Sequence, residues 1–194
     1  MMTIERSEAR DRAVRAMLPI AADDGWNWAT LRAGLAAAGE HPELAESHFP
    51  DGPAGAVAAW ADLADREMEA AAAAKGMSGL RTPGRVRRAV EMRFAAAAPH
   101  KRALRRAVSL LALPWNAGLA LETTARTANA IWYAAGDSSA DFSWYTRRAS
   151  LGAIYAATLT YWLRNDDPDT ADAMAFFDRR FADLARLQRR QRRA

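Results

Sequence analysis

The chain has 194 residues, of which 51% are hydrophobic and 26% are charged, and its net charge is +4. This balance is typical of a folded globular chain with one domain and excludes a largely disordered one. There is no cysteine, which excludes disulfides, cysteine-ligated metal sites and thiol nucleophiles. No apolar stretch approaches the roughly 18 residues that a transmembrane helix requires.

The charges are unevenly distributed along the chain. Residues 33–65 contain six acidic residues and no Lys or Arg. Residues 81–106 contain nine basic residues and one acid, and residues 186–193 contain five arginines and no acid. The acidic segment disfavours contact with nucleic acid, whereas the two basic segments can attract anionic surfaces.

Helix-forming residues dominate the sequence and β-branched runs are almost absent, so we predict an all-α fold with about nine helices and no strand. Glycines, prolines and capping residues set the predicted boundaries. The predicted helices cover residues 3–19, 28–38, 42–48, 53–75, 82–98, 99–113, 114–135, 144–164 and the chain from residue 170 onward.

The first three helices have the outline of a helix-turn-helix unit. We therefore predict an N-terminal unit at residues 1–52 and a larger helical domain at residues 53–194. A DNA-reading helix needs Lys and Arg to meet phosphates and base edges. The segment in the recognition position, residues 40–46, has three carboxylates and no basic side chain. We expect this unit to be a scaffold that does not bind DNA, and we expect no nucleic-acid partner.

Side chains for catalysis or metal binding are not arranged in any known pattern. The three histidines lack the helical spacing of a metal site, and neither a GxSxG motif nor a phosphate-binding glycine loop is present. Asp166, Asp167 and Asp169 are flanked by Asn and Pro, which favours turn and N-cap roles over metal binding. The sequence therefore predicts no catalytic residue, no metal and no cofactor, and we expect a protein that is not an enzyme.

A dense motif of aromatic and charged residues spans residues 131–148. Asp141 and Tyr145 are four residues apart, as are Trp144 and Arg148, so each pair shares a face at a helix start. Aromatic rings beside arginine are typical of partner-binding hot spots. The alternative is a capped loop whose rings complete the core, and the residues alone leave both interpretations open.

This motif resembles the signature of the coenzyme Q (ubiquinone) biosynthesis accessory family. The matching pattern is Trp-Tyr-x-x-Gly-Asp-x-Ser-x-Asp-Phe-x-Trp-Tyr-Thr-Arg-Arg, continuing through residues 149–155 and Thr158. The segments at 113–116 and 176–180 and the Gly25-Trp26 pair also resemble the family. The resemblance is strong over about residues 107–180 and weaker before them. Ser138-Ser139-Ala140 departs from the usual loop sequence but leaves both aspartates in place.

The resemblance implies a TetR-like fold, a homodimer and an apolar cavity that holds an isoprenoid quinone precursor or a phospholipid. It also implies that the cargo is presented to a demethoxyubiquinone hydroxylase. Carried over by position, Asp141, Trp144 and Tyr145 fall on the hydroxylase-binding patch, and Arg148 falls on a lipid head-group contact. The alternative hypothesis is a TetR-family transcriptional regulator with a small-molecule pocket, which would bind nucleic acid with a steep salt dependence.

Large apolar residues that can line the cavity are found near the motif. For each of them a place in the close-packed core is the alternative interpretation. The candidate lining residues are Leu110, Leu113, Leu121, Trp132, Leu151 and Tyr155.

Family members carry a further amphipathic helix that docks on membranes, and we expect none after residue 180 here. Peripheral membrane contact would then use the basic residues 81–106 or 186–193. The alternative interpretation of 186–193 is a solvated helix end. The abundance of Ala and of Arg over Lys indicates a high-GC bacterial source. We therefore expect a bacterial cytoplasmic location, with peripheral contact at the inner membrane.

Overall fold

The computed structural model describes residues 6–75, 77–137, 143–164 and 169–191. Within these ranges the chain is helical and contains no strand, which confirms the predicted all-α fold. No described helix is both long and apolar enough to cross a membrane. The helices are α1 (Glu8–Asp24), α2 (Trp28–Ala37), α3 (Ala45–His48), α4 (Gly52–Lys75), α5 (Thr82–Ala97), α6 (Lys101–Leu111), α7 (Ala117–Ala134), α8 (Ser143–Leu163) and α9 (Thr170–Gln191).

Side-chain caps explain where several helices begin. The Asn27 side chain accepts a hydrogen bond from the Thr30 N–H at the start of α2, and Asp169 accepts one from the Asp172 N–H at the start of α9. The N-cap role predicted for Asp169 is thus confirmed. Asp166 and Asp167 lie outside the described residues.

The first helix differs from its prediction. Its N-cap is Ser7, whose Oγ accepts a hydrogen bond from the Arg10 N–H at 3.2 Å, and the predicted start at Thr3 lies outside the described residues. The helix also continues through Pro19 to Asp24. Proline removes one backbone hydrogen bond, but Pro19 is exposed while residues on both sides of it are buried, so packing holds the helix together.

Two compact units are formed by the chain. The first unit comprises Met1–Arg66 with Ala97–Thr123, and the second comprises Glu67–Ala96 with Thr124–Ala194. The predicted helix-turn-helix-like unit at residues 1–52 and the predicted helical lipid-binding domain at residues 53–194 stay predictions.

The core of the first unit forms around α1, α2, α4 and α6. The Trp26 and Trp60 rings stack with centroids 5.6 Å apart, and Trp26 Nε1 donates to the Ala103 carbonyl at 3.0 Å. Gly34 lets α2 approach α1, because a Cβ there would collide with Met17 and lie 3.2 Å from the Ala13 carbonyl oxygen. These contacts fix the loop between α1 and α2 and the position of α6.

A network of ion pairs joins α1 to α4 in the same unit. Arg66 donates to Asp11 at 2.7 Å and to Asp62 at 3.0 Å, and Arg6 donates to Asp62 at 2.8 Å. Burial acts to raise the pKa of Asp62, but the hydrogen bonds from Arg6 and Arg66 outweigh it, so the pKa lies below its ordinary value of 3.8.

The segment predicted at the recognition position is short in the structure. A 3-10 turn at Pro42–Leu44 leads into α3, which is a single turn. The His41 Nδ1 accepts a hydrogen bond from the Glu43 N–H, and Glu40 pairs with Arg12 of α1 at 3.0 Å. Glu43 and Glu46 are exposed, so their negative carboxylates would repel the negative phosphates of a nucleic acid.

We expect Gly34→Ala to lower the free energy of unfolding by about 1–3 kcal/mol, because the added methyl overpacks the contact between α1 and α2. Gly118→Ala is the matched control: no atom lies within 4 Å of its added Cβ, and the better helix propensity should raise stability by up to about 1 kcal/mol. Urea unfolding of both variants measures the difference. Changes of the same sign would contradict the close approach at Gly34.

We expect Asp62→Asn to lower the free energy of unfolding by about 1–3 kcal/mol at pH 7. Because the folded state lowers this pKa, the carboxylate's contribution is fully present above the ordinary value of 3.8 and is lost as the pH falls through the lowered pKa. Urea unfolding between pH 7 and about pH 3 should therefore show the two proteins converging. Asp183→Asn, whose carboxylate pairs with two arginines on an exposed part of α9, should cost less than about 0.5 kcal/mol. An equal loss at every pH would argue against the ion pairs.

Candidate binding site

The candidate site begins where α7 ends, in the second unit. Gly136 has a φ of +81°, the Gly136 N–H donates to the Tyr133 carbonyl and the Asp137 N–H donates to the Trp132 carbonyl. This pair of hydrogen bonds is a Schellman motif, which favours glycine at the left-handed position. A Cβ at Gly136 would also lie 3.2 Å from Arg85 Nη1. The motif ends α7 and anchors the backbone of the next residue, Asp137, to its last turn.

Asp137 is the centre of a buried cluster of charges. Its side chain is 8% exposed and its carboxylate pairs with Arg148 at 3.3 Å and with Arg147 at 3.7 Å, both on α8. The Arg148 Nε also donates to the Asn129 side-chain oxygen at 2.9 Å. Burial lowers the pKa of Arg148, and the negative charge of Asp137 opposes that shift. An arginine nevertheless keeps its proton in a folded protein. The cluster therefore fastens α8 to the end of α7.

Trp132 packs against the same arginine pair. The Arg147 guanidinium lies 5.7 Å from the ring centroid, and the Trp132 Nε1 donates to the Arg147 carbonyl at 3.4 Å. The ring is buried, whereas 30% of the Arg147 side chain is exposed, so the cation–π contact is only partly shielded from water. Trp132 thus ties the backbone of α8 to α7 at the same point as the ion pairs.

The predicted partner-binding residues are only partly described. Tyr145 lies in the first turn of α8 with 71% of the residue exposed. Asp141 and the side chain of Trp144 lie outside the described residues. Tyr133, in the last turn of α7, is 70% exposed and was not among the predicted site residues. The sequence could have indicated that Tyr133 is exposed, because it directly follows Trp132 and neighbouring residues on a helix point to different sides.

The predicted lipid-binding residues are divided between the two units. Arg148, Trp132, Leu151 and Tyr155 are buried in the second unit, whereas Leu110 and Leu113 belong to the first unit and are half-buried. Leu121 also belongs to the first unit and is 73% exposed, so its predicted place in a cavity wall is wrong. α7 turns that side chain toward solvent. The lipid contacts of the other six residues stay a prediction.

A buried arginine accompanies Tyr155 in the second unit. The Arg93 Nε donates to the Tyr155 hydroxyl at 3.0 Å, and its Nη2 donates to the Thr127 hydroxyl at 3.4 Å. Phe94 packs edge-on against Tyr155 and tilted against Trp162. Arg93 was missed from the sequence, although it lies on the apolar stripe of α5 seven residues after Val86, where a solvated arginine is not expected.

We expect Asp137→Asn to lower the free energy of unfolding by about 3 kcal/mol, because it removes the charge that compensates the buried Arg148 guanidinium. Tyr145→Ala, eight residues away on an exposed position, should cost less than about 0.5 kcal/mol. Thermal and urea unfolding measure both. Equal effects would mean that Asp137 and Arg148 are effectively solvated.

The region that contains this cluster is similar to a known protein family. Residues 117–188 match the model of the COQ9 family. The protein named "Ubiquinone biosynthesis protein COQ9, mitochondrial" from Homo sapiens is 37% identical over 102 residues, which are 53% of this chain and 32% of that protein. The Drosophila melanogaster protein of the same name is 28% identical over 193 residues, covering 95% of this chain and 59% of that protein. The chain thus spans about a third of the human relative's length.

A solved structure has the same fold. The crystal structure of a TetR transcriptional regulator from Nitrosomonas europaea superposes with a TM-score of 0.71 at 21% sequence identity, covering 92% of this chain and 99% of that one. At this identity the likeness concerns the fold alone, and it confirms the predicted TetR-like fold.

The predicted location in the bacterial cytoplasm, with contact at the inner membrane, is contradicted. The relatives from Homo sapiens, Rattus norvegicus and Drosophila melanogaster are all named as mitochondrial proteins. The prediction failed because a preference for alanine and arginine carries no physical information about a compartment. The resemblance itself is confirmed: residues 117–188 match the COQ9 family model, and the chain has the fold of a TetR regulator.

Proposed function

We propose that this protein acts in ubiquinone biosynthesis as a lipid-binding accessory protein that presents an isoprenoid quinone precursor to a demethoxyubiquinone hydroxylase, without catalysing a reaction itself. The observation that carries the proposal is the COQ9 family match over residues 117–188, which contain the whole Asp137 cluster. The names of the relatives support the pathway.

The surface around the Asp137 cluster supports a presenting role. Buried ion pairs and the Trp132 contact hold the end of α7 and the start of α8 in one arrangement. Tyr133 and Tyr145 stand exposed on that rigid base, and large aromatic rings on rigid elements are the usual anchors of protein interfaces. The hydroxylase would dock on this surface, with Asp141 and Trp144 as further contacts.

The interior of the second unit supports an amphipathic cargo. Phe94, Leu151 and Trp162 supply apolar surface for an isoprenoid chain. Arg93 and Tyr155 supply buried donors that can hydrogen-bond a quinone or phenol oxygen, and Arg148 would hold a phosphate if the cargo is a phospholipid. Because these side chains are closely packed, cargo entry requires that the helices separate locally.

The cargo is tested by mass spectrometry of an organic extract of the natively purified protein. We expect an isoprenoid quinone precursor or phospholipid at near-stoichiometric amounts. Tyr155→Phe, which removes only the hydroxyl, should reduce the bound fraction of a quinone, with Tyr161→Phe as the matched control on the same helix. Extracts without lipid, from protein that is folded, would overturn the carrier role.

The partner is tested by binding to the purified hydroxylase. We expect Tyr145→Ala to weaken binding by about tenfold or more, because a hot-spot aromatic contributes about 2 kcal/mol. Trp144→Ala should act in the same direction. Trp115→Ala removes an equally exposed ring from the first unit and should leave the dissociation constant unchanged. Equal affinities for all of these variants would overturn the assignment of this surface.

We further propose that the protein forms a homodimer and contacts membranes peripherally. Light scattering after size-exclusion chromatography measures the dimer.

The exposed carboxylates around α3 argue against the alternative of a transcriptional regulator. A sequence-selective gel shift that weakens steeply with salt would favour that alternative.

A further inference from the structure

A cleft in the first unit contains three arginines that the proposed quinone-carrier role does not use. Its volume is about 450 Å³, which is within the range of small-molecule sites. It lies outside residues 117–188, the region that matches the family model. The residues that line it are Ala22, Gly25, Trp26, Arg102, Arg105, Arg106, Ser109 and Leu110.

The wall of the cleft formed by α6 is strongly cationic. Arg102, Arg105 and Arg106 lie three and four residues apart, so one face of α6 presents three guanidinium groups. The lining residues include no Asp or Glu. Arg102 does pair with Asp23 at 3.0 Å, but both side chains are 68% exposed, so solvent screens this pair and an incoming anion can displace it.

Arg106 is held in a fixed position against the end of α1. Its Nε donates to the Ala22 carbonyl at 3.1 Å and its Nη2 donates to the Asp23 carbonyl at 2.7 Å, so it caps the last carbonyls of α1. The cap offsets the negative end of the α1 dipole, which would otherwise repel an anion. Gly25 has a φ of +80°, and its missing side chain leaves the space beside Arg106 open.

The floor of the cleft is apolar and rigid. Trp26 is stacked on Trp60 and hydrogen-bonded to the Ala103 carbonyl, so it cannot swing away when a ligand binds. Leu110 adds apolar surface to the cleft, and the Ser109 hydroxyl donates to the Arg105 carbonyl at 3.0 Å. A cationic wall over an apolar floor is suited to a ligand with a charged group and an organic part.

We propose that this cleft binds a phosphate ester, with the phosphate against Arg102 and Arg105 and the organic part over Trp26 and Leu110. Planar guanidinium groups pair with phosphate oxygens through two parallel hydrogen bonds. The volume exceeds what a phosphate group alone would fill. The ester is either a soluble molecule or the head group of an anionic phospholipid, because both present the same chemistry.

The test compares the unaltered protein with three variants. The double variant Arg102→Gln with Arg105→Gln removes two charges from the cleft. The double variant Arg12→Gln with Arg180→Gln is the control: it removes the same charge from exposed, acid-paired positions outside the cleft and outside residues 81–106 and 186–193. Arg102→Lys with Arg105→Lys keeps the charge and removes the guanidinium geometry, so it remains informative if the glutamine variant fails to fold.

Two probes distinguish the sources of the ester. Calorimetric titration with glycerol 3-phosphate at constant ionic strength tests a soluble ligand. Sedimentation with phosphatidylcholine vesicles, with and without phosphatidylglycerol, tests a lipid head group. We expect saturable binding of at least one probe. The glutamine variant should weaken this binding about tenfold or more, the lysine variant should weaken it less, and the control should change it by not more than about twofold.

Loss with glycerol 3-phosphate alone identifies a soluble ester, and loss with the phosphatidylglycerol vesicles alone identifies a lipid surface. The proposal is overturned if neither probe binds, or if the cleft variants and the control lose affinity equally, as diffuse attraction of charge would require. Quinone loading in the second unit is a separate measurement, so failure of the carrier role leaves this result unaffected.

Discussion

The ion pair between Asp137 and Arg148 is the interaction on which the candidate surface depends. Removing two charges from water is costly, and the cost is offset only when their geometry and their remaining hydrogen bonds are satisfied. Asn129 and Arg147 complete that geometry here. Since any shift of α8 against α7 would leave a buried charge uncompensated, the start of α8 is fixed. The position of the exposed Tyr145 ring, in the first turn of α8, depends on this fixed start.

The chain uses arginine in three physically different ways. Arg148 and Arg93 are buried and act as internal donors, Arg66 bridges two carboxylates, and Arg102 stands at an open cleft. Composition counts them all alike as basic residues. The free energy that each contributes depends on its desolvation and on the partner that offsets it, which differ among the three. A net charge of +4 therefore says little about which surface binds an anion.

Most of the helix pattern was predictable because caps and breakers act locally. Gly39 and Gly136, both with positive φ, end or follow helices close to where the sequence places them. Pro19 misled the prediction for α1, because buried contacts on either side of it outweigh one missing backbone hydrogen bond. Within the candidate site, Arg148 and Tyr145 come from the motif, whereas the partners of Arg93 are set by the packing of α5, α7 and α8.

The sequence by itself determined the helical class, most element boundaries and the family signature, because each of these is written in residues close together along the chain. Tertiary structure alone decided which partners meet. Arg106 caps a helix 84 residues earlier, and Arg93 reaches Tyr155 62 residues later. Helical periodicity shows that a face is apolar, but not which face of another helix covers it. Only packing sets that choice, since burial and hydrogen bonding must be satisfied together.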